Sequence, residues 1–543
     1  MFFLVFLIHF LKIYKKEIKK NCSFFIFMLE LSSIQRTLKI EHCYASWSLV
    51  YSFVRISQYA VQGIIGSYSL LRTWKRKFIL WRFSIMGTTK KHTYPIGYWV
   101  CCLTYTFERF AFYGSKPLLV LFLTAAVSEG GLGISEVDAA PIAALLTSLT
   151  YLAPIAGGWI CDRWFGARYA VTLGCILMGL GYMIGWKSTS VAMVYGMIVV
   201  VSIGTAFFKG NLSAIIGRLF DDHELLDSAF SIQYSFVNIG SFFGSMICGV
   251  LYMNQFAKGE VLGFRQVFLF CGILVIIGGI FFTLCYGLLQ GQGKLPFKYL
   301  TDTQGNVIGQ EKHEKEEKST APLTVVEKNH VLAILLVSLF SVVFWLAYYQ
   351  QDIFLTLYIK DKVMRNIGSF ELSPVHLTTT WNGLLCIFLS LAFAKLWTIL
   401  AKRPQGDLSM FQKVTLAFVF LGLSYGTLMV MEILRGVGAP NTEKAHFIWI
   451  ALFGVFITIG EICFSPLGNS FVSKFAPKKY LALLMGVWTA ATFVASQLNG
   501  QIMKLVEKLG DFNIMVAFTI ISFVCAIAMF FLIKPLNKLT EEK

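Results

Sequence analysis

From residue 86 onward, apolar stretches of about 18–25 residues recur twelve times, each long enough to cross about 30 Å of hydrocarbon as a helix. They lie near 95–124, 140–162, 168–187, 190–215, 228–252 and 265–289. A second set lies near 328–358, 376–400, 411–434, 446–472, 480–504 and 512–534. No water-soluble architecture accommodates so many. In hydrocarbon every backbone N–H and C=O must be satisfied within the segment, so such stretches fold as helices. The composition agrees: 56% of residues are hydrophobic and 14% charged, where soluble domains carry about 25% charged residues. The reading is an all-α polytopic membrane protein.

The longest polar stretch, 291–327, separates the two sets and contains a mixed-charge run at 311–318. Six spans, a solvated linker and six more is the layout of a two-bundle transporter. The expected organisation is a bundle over 86–290, a cytoplasmic linker over 291–327 and a second bundle over 328–543. Residues 1–85 differ from the rest, with 13 Lys/Arg against 3 Asp/Glu and no long uncharged apolar run. They read as a non-native or disordered extension ahead of a native start at Met86.

The net charge of +17 does not imply nucleic-acid binding, because +10 of it lies in residues 1–85 and the rest falls in short loops. With the N-terminus inside, the inner loops and tails after Met86 hold 20 Lys/Arg and the outer loops 10. That asymmetry predicts both termini in the cytoplasm. The twelve cysteines form no CxxC pair and no metal-ligand spacing. Neither metal nor cofactor is expected, and the absence of HExxH and GxSxG argues against an enzyme.

Charges inside spans are costly and mark function. Span 1 carries Glu108, Arg109 and Lys116, span 4 carries Lys209, and span 10 carries Glu461. Cations in one bundle and an anion in the other suit a zwitterion, since Arg grips a carboxylate bidentately and Glu accepts from an ammonium. The plainer alternative is internal pairing, Glu108 with Arg109 or Lys209.

Several segments carry family resemblance. Gly157-Gly158, Asp162-Arg163, Gly166 and Arg168, between spans 2 and 3, resemble the loop signature of the major facilitator superfamily. Glu108-Arg109-Phe110-Ala111-Phe112-Tyr113-Gly114 resembles the E-x-x-E-R-F-x-Y-Y-G motif of the proton-dependent oligopeptide transporters. Phe208-Lys209-Gly210-Asn211, Gln233-Tyr234 with Asn238 and Gly240, Phe344-Trp345, Asn382, Glu461 to Pro466 and Trp488 resemble further segments of that family, in order, over 93–535.

The resemblance implies proton-driven import of di- and tripeptides by alternating access. In it Arg109, Lys209, Tyr113 and Tyr151 would receive the peptide carboxylate. Asn238, Asn382 and Glu461 would receive its amino terminus. Trp345, Ser465 and Trp488 would line side-chain pockets, and Glu108 and Glu461 would carry proton coupling. The expected partners are peptides, protons and lipid, the expected site the plasma membrane or the inner membrane of a bacterium, and the expected state a monomer, which the sequence itself does not fix. Four positions depart from the pattern: Tyr105 and Tyr349 replace acids, Gln233 replaces Phe, and Gly210 stands where Pro is usual. The rival readings are a same-fold transporter of nitrate, an amino acid or a drug, and a peptide sensor that does not transport.

Overall fold

The computed structural model describes residues 94–540, except 221–222, 297, 302–305, 311–322, 405 and 466. The extension 1–85, the expected native start at Met86 and the whole charged run 311–318 lie outside the described residues.

Twelve helices of 17 residues or more follow one another. They are α1 (Ile96–Thr124), α2 (Glu136–Arg163), α3 (Ala167–Lys187), α4 (Val191–Gly217), α5 (His223–Val250) and α6 (Phe264–Leu284), then α7 (Val325–Tyr349), α8 (Trp381–Ala401), α9 (Met410–Arg435), α10 (Ile448–Phe464), α11 (Leu481–Asn499) and α12 (Asp511–Leu539). Nine described helical segments are long and apolar enough to cross a membrane on those grounds alone. Of the other three, α1 carries Glu108, Arg109 and Lys116, α10 has 17 residues and α11 has 19. Large apolar side chains face outward along the helices, among them Leu339, Phe530 and Phe531. Lipid, not water, is the solvent that surface fits.

The packing repeats. In the first half α1 lies along α5, and α3 along α4 and α6. In the second half α7 lies along α11, and α9 along α10 and α12. Adding six to each helix number converts one set into the other. The contacts between halves, α2 with α11 and α5 with α8, obey the same operation. The chain is thus two six-helix bundles related by an internal repeat.

Helix ends refine the expected boundaries. α7 begins at Val325, inside the stretch expected to be linker, because Thr324 and Glu327 form a reciprocal capping box with N···O distances of 2.9 and 3.1 Å. The described part of the linker includes a hairpin, with β1 (Tyr299–Thr301) antiparallel to β2 (Val307–Gln310). The span expected over 446–472 is broken after Phe464. A short helix, Leu467–Phe475, restarts past Pro466, a residue with no backbone N–H to continue the ladder. The expected span 480–504 ends at Asn499, and the amphipathic segment Ile502–Leu509 follows. α7 also gives way, through a turn at Gln350–Asp352, to a short helix, Phe354–Lys362.

The even helix count brings the start of α1 and the end of α12 to one face, here called proximal. On the other, distal face, the α7–α8 connection pairs with the α9–α10 connection as two short parallel strands, Val363–Met364 and Ala445–His446.

Candidate functional site: charged and aromatic groups between the bundles

The two halves are joined toward the distal face. Lys116 Nζ of α1 lies 2.7 Å from Asp352 Oδ2, beyond the end of α7, with both side chains under a tenth exposed. Tyr349 OH donates to Tyr151 OH at 2.8 Å, and Thr380 Oγ1 donates to Ser245 Oγ at 2.9 Å. His376 Nδ1 accepts from the Ser373 N–H, which leaves Nε2–H to donate to the Met246 carbonyl at 3.0 Å. Backbone approach adds to this. A Cβ on Gly500 would stand 2.6 Å from Pro141 Cα, so only glycine lets α11 and α2 meet there. Nearer the proximal ends of the same helices, a Cβ on Gly486 or Gly158 would meet nothing within 4 Å. These contacts between the halves thus gather toward the distal face.

Each membrane-embedded charge has a distinct surrounding. Glu108 and Arg109 are neighbours in sequence and partners in space. Arg109 Nε and Nη2 each donate to a Glu108 oxygen at 2.5 Å, a two-pronged pair buried on α1. Its guanidinium also lies 4.8 Å from the Phe112 ring centre and 5.7 Å from that of Tyr113. The internal pairing weighed as the plainer alternative is thus present for Arg109. Lys209 of α4 is not part of it. Its ammonium sits 4.6 Å from the Tyr151 ring centre, and among the described residues it has no carboxylate partner. Lys116 lies 5.0 Å from the Tyr349 ring.

Glu461 of α10 is held by two helices. Tyr348 OH of α7 donates to Oε2 at 2.9 Å, and Asn382 Nδ2 of α8 donates to it at 3.0 Å. Cys386 Sγ, one turn along α8, donates to the same atom at 3.4 Å. Asn382 Nδ2 also donates to Thr458 Oγ1, which fixes the amide orientation. No described residue donates to Oε1.

Tyr113 links the groups, since its electrostatic neighbours are Arg109, Tyr151, Glu461 and Asp352. On α5, Tyr234 neighbours Glu461, and Asn238 lies one turn along the same helix from it. Tyr113, Tyr151 and Glu461, with Lys209 over the Tyr151 ring and Asn382 on Glu461, thereby lie near one another between the bundles.

The aromatic residues are only partly wall. Trp345 stacks on Tyr349 with ring centres 5.6 Å apart, and its buried Nε1–H has no hydrogen-bond partner among the described residues. Trp488 stacks on Phe464 and lies against Gly468, so it packs within the second bundle. Ser465 is half-buried, and its backbone N–H closes α10 on the Glu461 carbonyl at 2.7 Å.

Three participants were not singled out in the sequence: Asp352, Tyr348 and Cys386. A signal existed for two of them. Asp352 is an acid inside an apolar run, and Cys386 stands four residues from Asn382 on the same helix face. Tyr348 offered nothing that separates it from a packing aromatic.

The Major Facilitator Superfamily model matches residues 99–500. The chain belongs to that superfamily. It is accordingly an integral membrane transporter and not an enzyme. Among characterised relatives it is 25% identical to "Peptide transporter YePEPT" of Yersinia enterocolitica, over 82% of this chain and 95% of that one. It is 23% identical to a di-/tripeptide transporter of Lactococcus lactis, over 82% and 96%. An uncharacterized transporter of Bacillus subtilis, YclF, is 26% identical over 77% and 89%. Among solved structures, the peptide transporter POT in complex with alafosfalin superposes with a TM-score of 0.72 at 24% identity, covering 82% of this chain and 96% of the other. A POT family transporter in complex with a thioalcohol-conjugated peptide gives 0.71 at 23%, covering 82% and 97%. These similarities confirm the superfamily fold of two six-helix bundles.

Proposed function

We propose that this protein imports dipeptides and tripeptides together with protons, by alternating access between its two bundles. The observation that carries the reading is the mismatch of charge. Besides the Glu432–Arg435 pair of α9 and the exposed Lys395 of α8, three embedded cations, Arg109, Lys116 and Lys209, face three embedded acids, Glu108, Asp352 and Glu461. Two ion pairs use two of each. Lys209 and one oxygen of Glu461 remain, on opposite bundles. A short peptide is a zwitterion whose carboxylate fits the cation and whose ammonium fits the acid, whatever its side chains. Peptide transport by YePEPT and the Lactococcus protein, as their names state, supports the same substrate class.

In this reading Lys209, with Arg109 behind it, takes the peptide carboxylate, and Tyr113 and Tyr151 flank it. Glu461, steadied by Asn382, takes the ammonium, with Asn238 across the space. Trp345 contributes apolar surface and a free N–H to the side-chain pocket. Ser465 and Trp488 act from behind that wall. Lys116–Asp352 and Tyr151–Tyr349 hold the distal side shut, so the conformer described is open proximally. With both termini cytoplasmic, that is the inward-facing state of a monomer in a plasma or bacterial inner membrane. Protonation of Glu108 releases Arg109, and an inward-negative potential adds about 2.3 kcal/mol per charge per 100 mV to proton entry.

Counterflow of labelled dialanine in liposomes containing the purified protein tests the function. Uptake that unlabelled dialanine and trialanine compete away, and that nitrate and free alanine leave intact, is expected. Competition by nitrate or alanine alone refutes the peptide reading. Binding without any counterflow marks a sensor.

A further inference from the structure

The carboxylate of Glu461 is engaged asymmetrically. Three donors from two helices converge on Oε2, while no described residue donates to Oε1. Two of the three have other duties: Tyr348 OH lies 3.3 Å from Asn382 Oδ1, and Asn382 Nδ2 also serves Thr458. The Cys386 thiol is a single weak donor and is buried, and its one described acceptor is Glu461. Asn382 and Cys386, four residues apart on α8, hold the carboxylate between them.

We propose that Cys386 is a positioning residue: its thiol helps hold Glu461 with Oε2 occupied and Oε1 presented to the ammonium end of the substrate. The proposal rests on the peptide reading above and assigns a determinant of selection for a free amino terminus. Its physical content is directional. A donor to a carboxylate favours the ionised form, so removing it makes the acid take up a proton at higher pH. A protonated Glu461 no longer attracts an ammonium.

The other groups facing Glu461 stay fixed in this comparison. They are Tyr348 and Asp352 from the α7 side, Tyr234 from α5 and Tyr113 from α1. On α9, which packs along α10, Glu432 and Arg435 are paired with each other.

The test measures binding of dialanine and of N-acetyl-dialanine to the purified full chain between pH 5 and pH 8. Unmutated protein, Cys386→Ala and Cys386→Ser are compared, with thermal unfolding recorded to establish that each is folded. For dialanine, Cys386→Ala is expected to move the pH midpoint of binding upward by about half a unit, about threefold in affinity near the midpoint. Cys386→Ser keeps a donor and should stay at the parent value or below it. N-acetyl-dialanine, which has no ammonium, should bind alike to all three. An unmoved midpoint in Cys386→Ala overturns the proposal. So does an equal upward shift in Cys386→Ser, because the effect is then packing and not donation, or an equal shift for the acetylated peptide. Failure of the unmutated chain to bind either peptide instead overturns the peptide reading, and this proposal with it.

Discussion

Replacing Asp352 by Asn should open the distal face. The Lys116–Asp352 pair spans 2.7 Å with both side chains under a tenth exposed. At an effective dielectric of about 20, two unit charges at that distance attract by about 6 kcal/mol, before the cost of removing both from water. The relevant quantity is the penalty for leaving Lys116 buried without its partner, about 3–5 kcal/mol. That penalty falls on the distally closed conformer alone, because separating the bundles returns Lys116 to water. A bias of about 3 kcal/mol changes the ratio of the two conformers by roughly 150-fold. Spin labels at Val127 and Val437, exposed distal positions on opposite bundles, report the change as a longer distance population in double electron–electron resonance on the protein in lipid nanodiscs. Exchanging the charges, Lys116→Asp with Asp352→Lys, should restore the shorter distance. An identical distance distribution in Asp352→Asn would show that the ion pair is not what holds the bundles together.

Three further outcomes are expected. Lys209→Gln removes the cation without an acid partner and should weaken dialanine at least tenfold, since hydrogen bonds to charged groups contribute about 1.5–3 kcal/mol; a peptide with an amidated carboxyl end should lose nothing, and equal losses would place the carboxylate elsewhere. Glu108→Gln should abolish accumulation driven by a pH gradient in liposomes yet leave peptide-for-peptide counterflow, and surviving accumulation would remove Glu108 from coupling. Gly500→Leu forces a side chain onto the Pro141 backbone, so the same spin-label pair should lengthen and counterflow should slow, whereas unchanged distances would mean that the α2–α11 approach is not limiting.

The fold was largely readable because lipid imposes one period and one length on each span, and a run of apolar residues reports both. Span ends were less readable. The start of α7 carried its signal in Thr324 and Glu327, a pair that a search for polar linker absorbs as linker. The break after Phe464 depended on Pro466, which spans tolerate in other helices here, as at Pro117 and Pro154. Charged site residues stood out against their apolar surroundings. Their pairing did not, because sequence adjacency of Glu108 and Arg109 does not decide whether the side chains meet each other or Lys209. Trp488 shows the limit for aromatics, since the same residue type that lines a pocket also packs on Phe464 and Gly468.

The two departures that replace an acid by tyrosine acquire a common explanation once the pairs are known. Tyr105 stands where an acid is usual, and its ring packs against Phe208 and within 5.5 Å of the Arg109 guanidinium. Arg109 is thereby left to Glu108 alone. Tyr349 stands where the second acid is usual and bonds Tyr151 across the bundles instead. The acid that meets Lys116 comes three residues later, at Asp352. Substituting two acids without any compensation would have left cations unmatched in a region where an unpaired charge costs several kcal/mol. With Asp352 included, Arg109 and Lys116 each meet a carboxylate, as Arg435 meets Glu432. Among the described residues, Lys209 and Glu461 form no ion pair with each other. A zwitterion completes that pair without adding net charge, so the charge carried inward falls to the proton. In the proposed reading that arrangement couples uptake of a neutral peptide to the membrane potential, with Glu108 and Glu461 as the coupling carboxylates.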